Sequence, residues 1–290
     1  MDKIKTFLKR ILPEGDYKYW NYRYIFERAA LKRALGVKIG GKQLQFPTKV
    51  AILFIGTQNY INFLPLYYET IKKKFLPETK KDFFVYTNQI KYPFLSGKKD
   101  IFGYPIEHGI WPYSALRKYK FINKAKNKLK KYSHIIFLDA DMYVNEVVTE
   151  KEFFCHDKPL FSLQHPNFIG KMGQFDRNPK CLACVKKGED LSTYWQSCIW
   201  GGKTKYILPL IKELERRTDI DIKNNVVALW HDESHLNKYL VERKNLVHTY
   251  NPSYAYPEKR IIPYPFKKKI VHMMKKFGSK RELKLKTFSK

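Results

Sequence analysis

Two pairs of carboxylates carry the chemistry this sequence offers. The first is Asp139 and Asp141, one residue apart behind the apolar run Ile135-Ile136-Phe137-Leu138. Four apolar residues in a row predict a strand buried on both faces, as in a parallel sheet. On a continuing strand the two carboxylates would face opposite sides, because side chains alternate. A turn at Ala140 would instead aim both at one cation at the carboxyl end of the sheet, the edge where open α/β folds bind ligands. Hard carboxylate oxygens suit Mg2+ or Mn2+, and such an ion is often shared with substrate phosphates. A solvated turn after a core strand is the equal alternative. The second pair is Asp232 and Glu233, where the first turn of a helix should fall, beside Trp230, His231 and His235. The helix dipole alone favours acidic residues there. An aromatic wall can also carry a sugar ring, and carboxylates can stabilise positive charge developing at an anomeric carbon.

The elements that must position these pairs follow a regular order. Residues 49–55 predict a buried strand, a helix runs from about Tyr60 to Phe75, and Asp82–Thr87 is a second strand. After a looser stretch comes Trp111-Pro112-Tyr113, then one long helix from about Ser114 to Lys131, then the strand ending at Leu138. Strands alternating with helices predict right-handed βαβ units and an α/β, Rossmann-like, mostly parallel sheet. Further on, Leu160–His165 reads as a strand, 166–193 as a long loop and Tyr194–Trp200 as an aromatic strand ending in Gly201-Gly202. Lys205–Arg217 reads as a helix, and another starts near Asp232 with Leu236, Tyr239 and Leu240 on its apolar face.

With 290 residues and 16% aromatics the chain can bury a large core, and its composition excludes a disordered protein. A formal charge of +29 calls for an anionic partner: nucleic acid, an acidic membrane or a phosphorylated substrate. Four cysteines are too few for a disulfide framework, and Cys181 and Cys184 form a single C-x-x-C. A zinc site there would have to recruit His156 or His165; reduced thiols in a cytosolic protein are the default reading. No apolar run approaches the ~20 residues of a membrane span, and the amino terminus has no signal peptide. Residues 1–46 are basic and aromatic-rich, with helical periodicity over Ile4–Leu12 and about Tyr22–Leu35. They read either as interfacial helices at an anionic membrane or as a helical extension packed on the main domain. From Lys259 the tail holds twelve Lys or Arg against one Glu.

The run Trp230-His231-Asp232-Glu233-Ser234-His235-Leu236-Asn237-Lys238-Tyr239 resembles the signature of the family 6 retaining glycosyltransferases, which include the blood-group A and B transferases, the α-1,3-galactosyltransferase and bacterial relatives. Asp139-Ala140-Asp141 falls on that family's D-x-D motif, and Trp111, His165-Pro166, Gly201-Gly202, Pro252 and Tyr254 follow in order, so the resemblance covers about residues 49–281. It implies a GT-A fold over residues 47–258, preceded by the extension 1–46 and followed by a basic tail, 259–290, closing over the donor site. The implied donor is UDP-galactose or UDP-N-acetylgalactosamine. Position by position, Ile55, Thr57 and Tyr60 match the uridine loop, and Asp139 and Asp141 the residues holding Mn2+ (or Mg2+) and the diphosphate. Asp232 matches a donor-sugar contact, Glu233 the catalytic carboxylate beside the anomeric carbon, and His165 and Trp230 acceptor contacts. Lys275, Lys276 and Arg281 match the basic tail over the phosphates.

The sequence also departs from the family. The position usually held by Arg aligns with Lys118, next to Arg117, so either side chain can serve the donor. Gln196 and Cys198 align with the donor-sugar selectors but are an unfamiliar pair, which leaves the sugar open. Many bacterial relatives carry N-x-N and work without metal, so both aspartates here imply metal dependence. The expectation is a metal-dependent retaining transferase making an α-1,3 linkage to a galactose-ended, lipid-linked glycan, cytoplasmic and peripheral on the inner face of an anionic membrane. A transferase of the same fold with another donor or linkage is one rival. The other is a nucleic-acid-binding protein, suggested by the charge and the interleaved Tyr and Lys; the preferred reading has no nucleic-acid partner.

Overall fold

The computed structural model describes residues 46–259 and 266–273. Both proposed helices of residues 1–46 lie outside them. Among the described residues ten strands run in chain order: β1 Lys49–Ile55, β2 Lys80–Thr87, β3 Ile101–Pro105, β4 His134–Leu138, β5 Met142–Val144, β6 Leu160–Gln164, β7 Trp195–Lys203, β8 Val247–Tyr250, β9 Tyr256–Pro257 and β10 Ile270–His272. The described α-helices are α1 Leu64–Lys74, α2 Tyr113–Leu116, α3 Lys118–Asn123, α4 Lys126–Leu129, α5 Glu150–Phe153, α6 Thr204–Lys223 and α7 His231–Val241.

Seven strands form the central sheet in the order β3-β2-β1-β4-β7-β6-β8. The pairs β1·β2, β2·β3, β1·β4 and β6·β8 are parallel, while β7 runs antiparallel to both β4 and β6. This is the mostly parallel α/β sheet expected of a GT-A type fold. The continuous apolar runs are explained by burial on both faces. Ile52, Phe54, Ile136 and Leu138 pack toward α1 with Tyr67 and Ile71, while Leu53, Ile135 and Phe137 pack toward α3, α6 and α7 with Ile122, Ile211 and Leu240. A smaller sheet, β5-β10-β9, is attached behind Asp141, with β10 antiparallel to β5.

Three details differ from the sequence reading. The long helix over 114–131 is three short helices, because the backbone leaves the α region at Arg117 (ψ 3°) and Ala125 (ψ 5°). The interrupted path still buries Leu116, Tyr119, Ile122 and Leu129. The looser stretch after Thr87 contains the edge strand β3, whose Gly103 and Pro105 weaken the strand signal. Helix α6 is longer than expected, with Pro209 inside it. At the end of β7, Gly202 has φ 149° and a Cβ there would lie 2.1 Å from the Pro159 carbonyl oxygen, so only glycine lets β7 and β6 approach so closely. No described helix is long and apolar enough to cross a membrane.

Candidate active site

The antiparallel direction of β7 decides where the site forms. The carboxyl ends of β1, β4 and β6 share one edge of the sheet, and β7 enters at that same edge. The register pairs Leu138 with Ile199 and Leu53 with Phe137. Ile55, Asp139 and the segment Gln196–Cys198 therefore lie at one level. The Asp139 N–H donates to the Cys198 carbonyl at 2.9 Å, which stitches the two chains together.

The chain does turn at Ala140, as one reading of the spacing required. β4 stops at Leu138 and β5 begins at Met142. The Met142 N–H donates back to the Asp139 carbonyl at 3.2 Å. Asp139 keeps 29% of its side chain exposed and Asp141 only 2%. A third group joins them from far along the sequence: His272, at the end of β10, lies opposite Met142 and places Nε2 3.2 Å from Asp141 Oδ2. The ligand atoms of Asp139, Asp141 and His272 all lie within 4.8 Å of one another, a spacing one divalent ion can span. Two hard carboxylates and an imidazole fit Mn2+ or Mg2+, with positions left for phosphate oxygens. Sequence reading had assigned His272 to a basic tail; only the β5·β10 pairing brings it here.

The second pair is joined to the first by Lys118. Its ammonium donates to Asp232 Oδ2 at 2.6 Å, lies 3.8 Å from Asp139 Oδ1 and sits 4.5 Å above the Phe137 ring. Burial works against the charge on Lys118, but Asp232 and then Asp139 outweigh it and raise the pKa. Of the neighbours Arg117 and Lys118, it is Lys118 that occupies this position.

Helix α7 starts under constraint. His231 has φ 53°, a left-handed conformation that costs a non-glycine residue about 1–3 kcal/mol. Surrounding contacts hold it. The Leu229 N–H donates to Asp176 at 2.8 Å, the Trp230 N–H to Ser234 Oγ at 2.9 Å, and the His231 ring lies 4.5 Å from that of Trp111. Asn237 clamps both backbone groups of Trp195, at 2.8 and 2.7 Å, and so fixes α7 against β7. Glu233 thereby meets the Ser197 N–H, which donates to Oε2 at 2.9 Å. Burial pushes the Glu233 carboxyl up to about 7, the Asp232 charge adds to this, and the Ser197 hydrogen bond opposes it.

The remaining candidates surround this centre. Thr57 Oγ1 is 3.0 Å from His108 Nδ1, and Tyr60 packs its ring on Phe63 just beyond β1. Gln196 has a buried amide oxygen with no hydrogen-bond partner among the described residues. Cys198 is buried, and burial with Asp139 nearby holds its thiol well above the usual range. His165 follows β6, accepts the Asn167 N–H on Nδ1 and has its pKa pushed down to about 4 by burial. Trp230 and Trp111 are exposed at 46% and 70%, two aromatic faces at the mouth. Lys275, Lys276 and Arg281 lie outside the described residues. Zinc recruitment by His156 or His165 does not occur: His156 stacks on His248 and His165 lies against Phe168. Cys181 instead shares a buried cluster with Asp221 and His235, where its thiol and the Leu182 N–H both bond to Asp221 and tie the long loop to α6. None of the four cysteines forms a disulfide among the described residues.

Comparison with known proteins agrees with this geometry. A profile of glycosyltransferase family 6 matches residues 40–282. O-antigen biosynthesis glycosyltransferase WbnI of Escherichia coli is 29% identical over 72% of this chain and 88% of its own. Histo-blood group ABO system transferase 1 of Rattus norvegicus is 24% identical over 73% of this chain. Globoside alpha-1,3-N-acetylgalactosaminyltransferase 1 of Homo sapiens is 20% identical over 74%. The chain spans 62% of the length of each of these two mammalian relatives. It belongs to glycosyltransferase family 6 and is a hexosyltransferase, with a nucleotide-sugar donor and a glycan acceptor.

The Glu233 shift has a measurable consequence for stability. Its folded pKa, about 7, lies above the value near 4.5 of an ordinary glutamate. The folded state therefore binds the proton more tightly, and stability present below the unfolded pKa is lost as pH rises through 7. Glu233→Gln removes that loss. The variant should be more stable than wild type at pH 8 by on the order of 1–3 kcal/mol, with the gap closing below pH 5. Calorimetric melting at both pH values checks this, and a gap independent of pH would contradict it.

Proposed function

We propose that this family 6 glycosyltransferase transfers galactose or N-acetylgalactosamine from UDP to a galactose-ended glycan in α-1,3 linkage, with retention and with a divalent ion. The observation that carries the reading is the convergence of Asp139 and Asp141, Lys118, Asp232 and Glu233 at one sheet edge, in a family whose members include globoside alpha-1,3-N-acetylgalactosaminyltransferase 1. Asp139 and Asp141, with His272 beside them, would hold Mn2+ or Mg2+. The ion would offset charge gathering on the departing diphosphate. Ile55, Thr57 and Tyr60 receive the uridine at the end of β1. Asp232 and Lys118, locked together, orient the sugar, and Gln196 and Cys198 face it. Trp230 and His165 take the acceptor sugar. Lys275, Lys276 and Arg281 close over the phosphates and exclude water, which limits hydrolysis.

Two tests bear on donor and metal. In a screen of nucleotide sugars, only UDP-galactose or UDP-N-acetylgalactosamine should release UDP in step with transfer to a galactose-ended acceptor. Turnover should vanish in EDTA and return with Mn2+, and Asp139→Asn or Asp141→Asn should lose most of it. Transfer from a different donor, or full activity in EDTA, would refute the corresponding half of the reading.

In this reading Glu233, whose carboxylate accepts from the Ser197 N–H beside Asp232, acts as positive charge develops at the anomeric carbon. A group that acts only in the transition state affects kcat far more than donor affinity. Glu233→Gln should lower kcat on the order of 10²-fold or more, with UDP affinity unchanged. Near-normal turnover, or UDP binding lost in parallel, would reduce Glu233 to a helix-start residue.

The basic segments 1–46 and 259–290 are proposed to bring the enzyme to an anionic membrane that carries a lipid-linked acceptor. Each Lys or Arg near such a surface contributes about 1 kcal/mol. The full chain should float with anionic vesicles and lose that preference when residues 1–46 are deleted. Equal flotation with neutral vesicles would count against docking.

A further inference from the structure

The edge of the sheet opposite the active site carries a feature that catalysis does not use. β7 ends there at Lys203, paired with His134 at the start of β4, and α6 begins at once with Thr204. A groove of about 580 Å³ opens at this corner, lined among others by Lys130, Ser133, His134, Lys203, Thr204 and Lys205. Among the described residues lining the groove, none is an Asp or Glu.

The chemistry of the corner is one-sided. An α-helix presents partial positive charge and amides without helical acceptors at its amino end, and sequences normally answer with a capping oxygen or an acidic first turn. The 20-residue α6 has neither. Lysine stands at its cap position, no side chain caps it, and its first turn has no acidic residue. The Thr204 N–H is taken by the Ser133 carbonyl at 2.9 Å, which anchors the start of the helix. The Thr204 hydroxyl is buried with no hydrogen-bond partner among the described residues, on a residue only 7% exposed. Three lysines and a histidine around this end add repulsion that nothing within the groove offsets. His134 records it: burial, with Lys203 adding, pushes its pKa down to about 4.

We infer that the groove at the amino end of α6, formed by Lys130, His134, Lys203, Thr204 and Lys205, is a binding site for a phosphate group separate from the donor site. A phosphoryl anion would accept from the first-turn amides and the lysines, and give the Thr204 hydroxyl an acceptor. Its position separates it from the catalytic edge by the length of β4, five residues or roughly 17 Å at about 3.3 Å per residue. The groove also adjoins the start of β1, since Ser133 Oγ bonds to the Lys49 carbonyl at 3.4 Å and Val50 pairs with His134. A phosphate held here lies beside the point where the basic first 46 residues join the domain. Either a phospholipid headgroup or a free phosphate compound offers the required chemistry.

The test uses the full chain saturated with UDP, so that the donor site is already filled. Inorganic phosphate and short-chain phosphatidic acid below its micellar concentration are titrated separately by calorimetry. Binding of both assigns the site to free phosphate groups, and binding of phosphatidic acid alone assigns it to a lipid headgroup. Lys203→Glu/Lys205→Glu should weaken that binding at least about tenfold, with UDP affinity and turnover unchanged. These lysines are exposed, so folding is not at issue. In NMR titrations the His134 ring should take up its proton at higher pH once phosphate is bound, and Thr204→Val should reduce that shift. No binding of either probe to the wild-type chain, binding unaltered by the double substitution, or a His134 titration indifferent to phosphate would each overturn the inference.

Discussion

The Lys118 ammonium, held between Asp232 and Asp139, is the interaction on which the site depends. It is one cation shared by two elements that meet only in three dimensions: the end of β4 and the first turn of α7. Removing one partner of a buried pair costs about 3–5 kcal/mol, because the other charge is left without compensation. The same cation lowers the repulsion among four carboxylates gathered at one edge. The conformational strain at His231 is tolerated because this lock, the Asn237 clamp and the Ser197 hydrogen bond over-determine the start of α7.

Legibility of this structure in its sequence follows the range of the forces involved. The strand and turn at Ile135–Asp141 were readable because both the apolar run and the carboxylate spacing are local. So is the Trp230–Tyr239 run, a contiguous signature that resembles the family's without any long-range contact. His272 was not readable, because its role depends on β10 pairing with β5 some 130 residues earlier. Ser197, Asn237 and Trp111 were invisible as supports of Glu233 and His231 for the same reason. A composition signal misled over 114–131: the run is lysine-rich and periodic enough for one helix, yet it bends twice to keep its apolar residues on the sheet. The choice between Arg117 and Lys118 is a matter of one residue along a helical path, about 100° of rotation, and it is Lys118 that the fold sets between Asp232 and Asp139.

The sheet has two functional edges because one strand is reversed. A fully parallel sheet delivers all its chain exits to the same side. β7 instead starts among the catalytic groups and ends at the lysine-rich corner, so one strand borders both chemistries. Its Gly201 and Gly202 let β7 pack closely against β4 and β6 at that end.

The place of β10 also bears on how the enzyme is made. A ribosome delivers the chain from its amino end, and domains begin to organise as they emerge. β1, β2 and β4 can pair long before residue 270 exists, so the sheet and the Asp139–Asp141 turn can form first. His272, which completes the trio of ligand atoms, comes off the ribosome only when nearly the whole chain has been translated. A nascent chain therefore carries a two-carboxylate site through much of the second half of its synthesis. The imidazole joins it last, when the final short strand zips alongside β5.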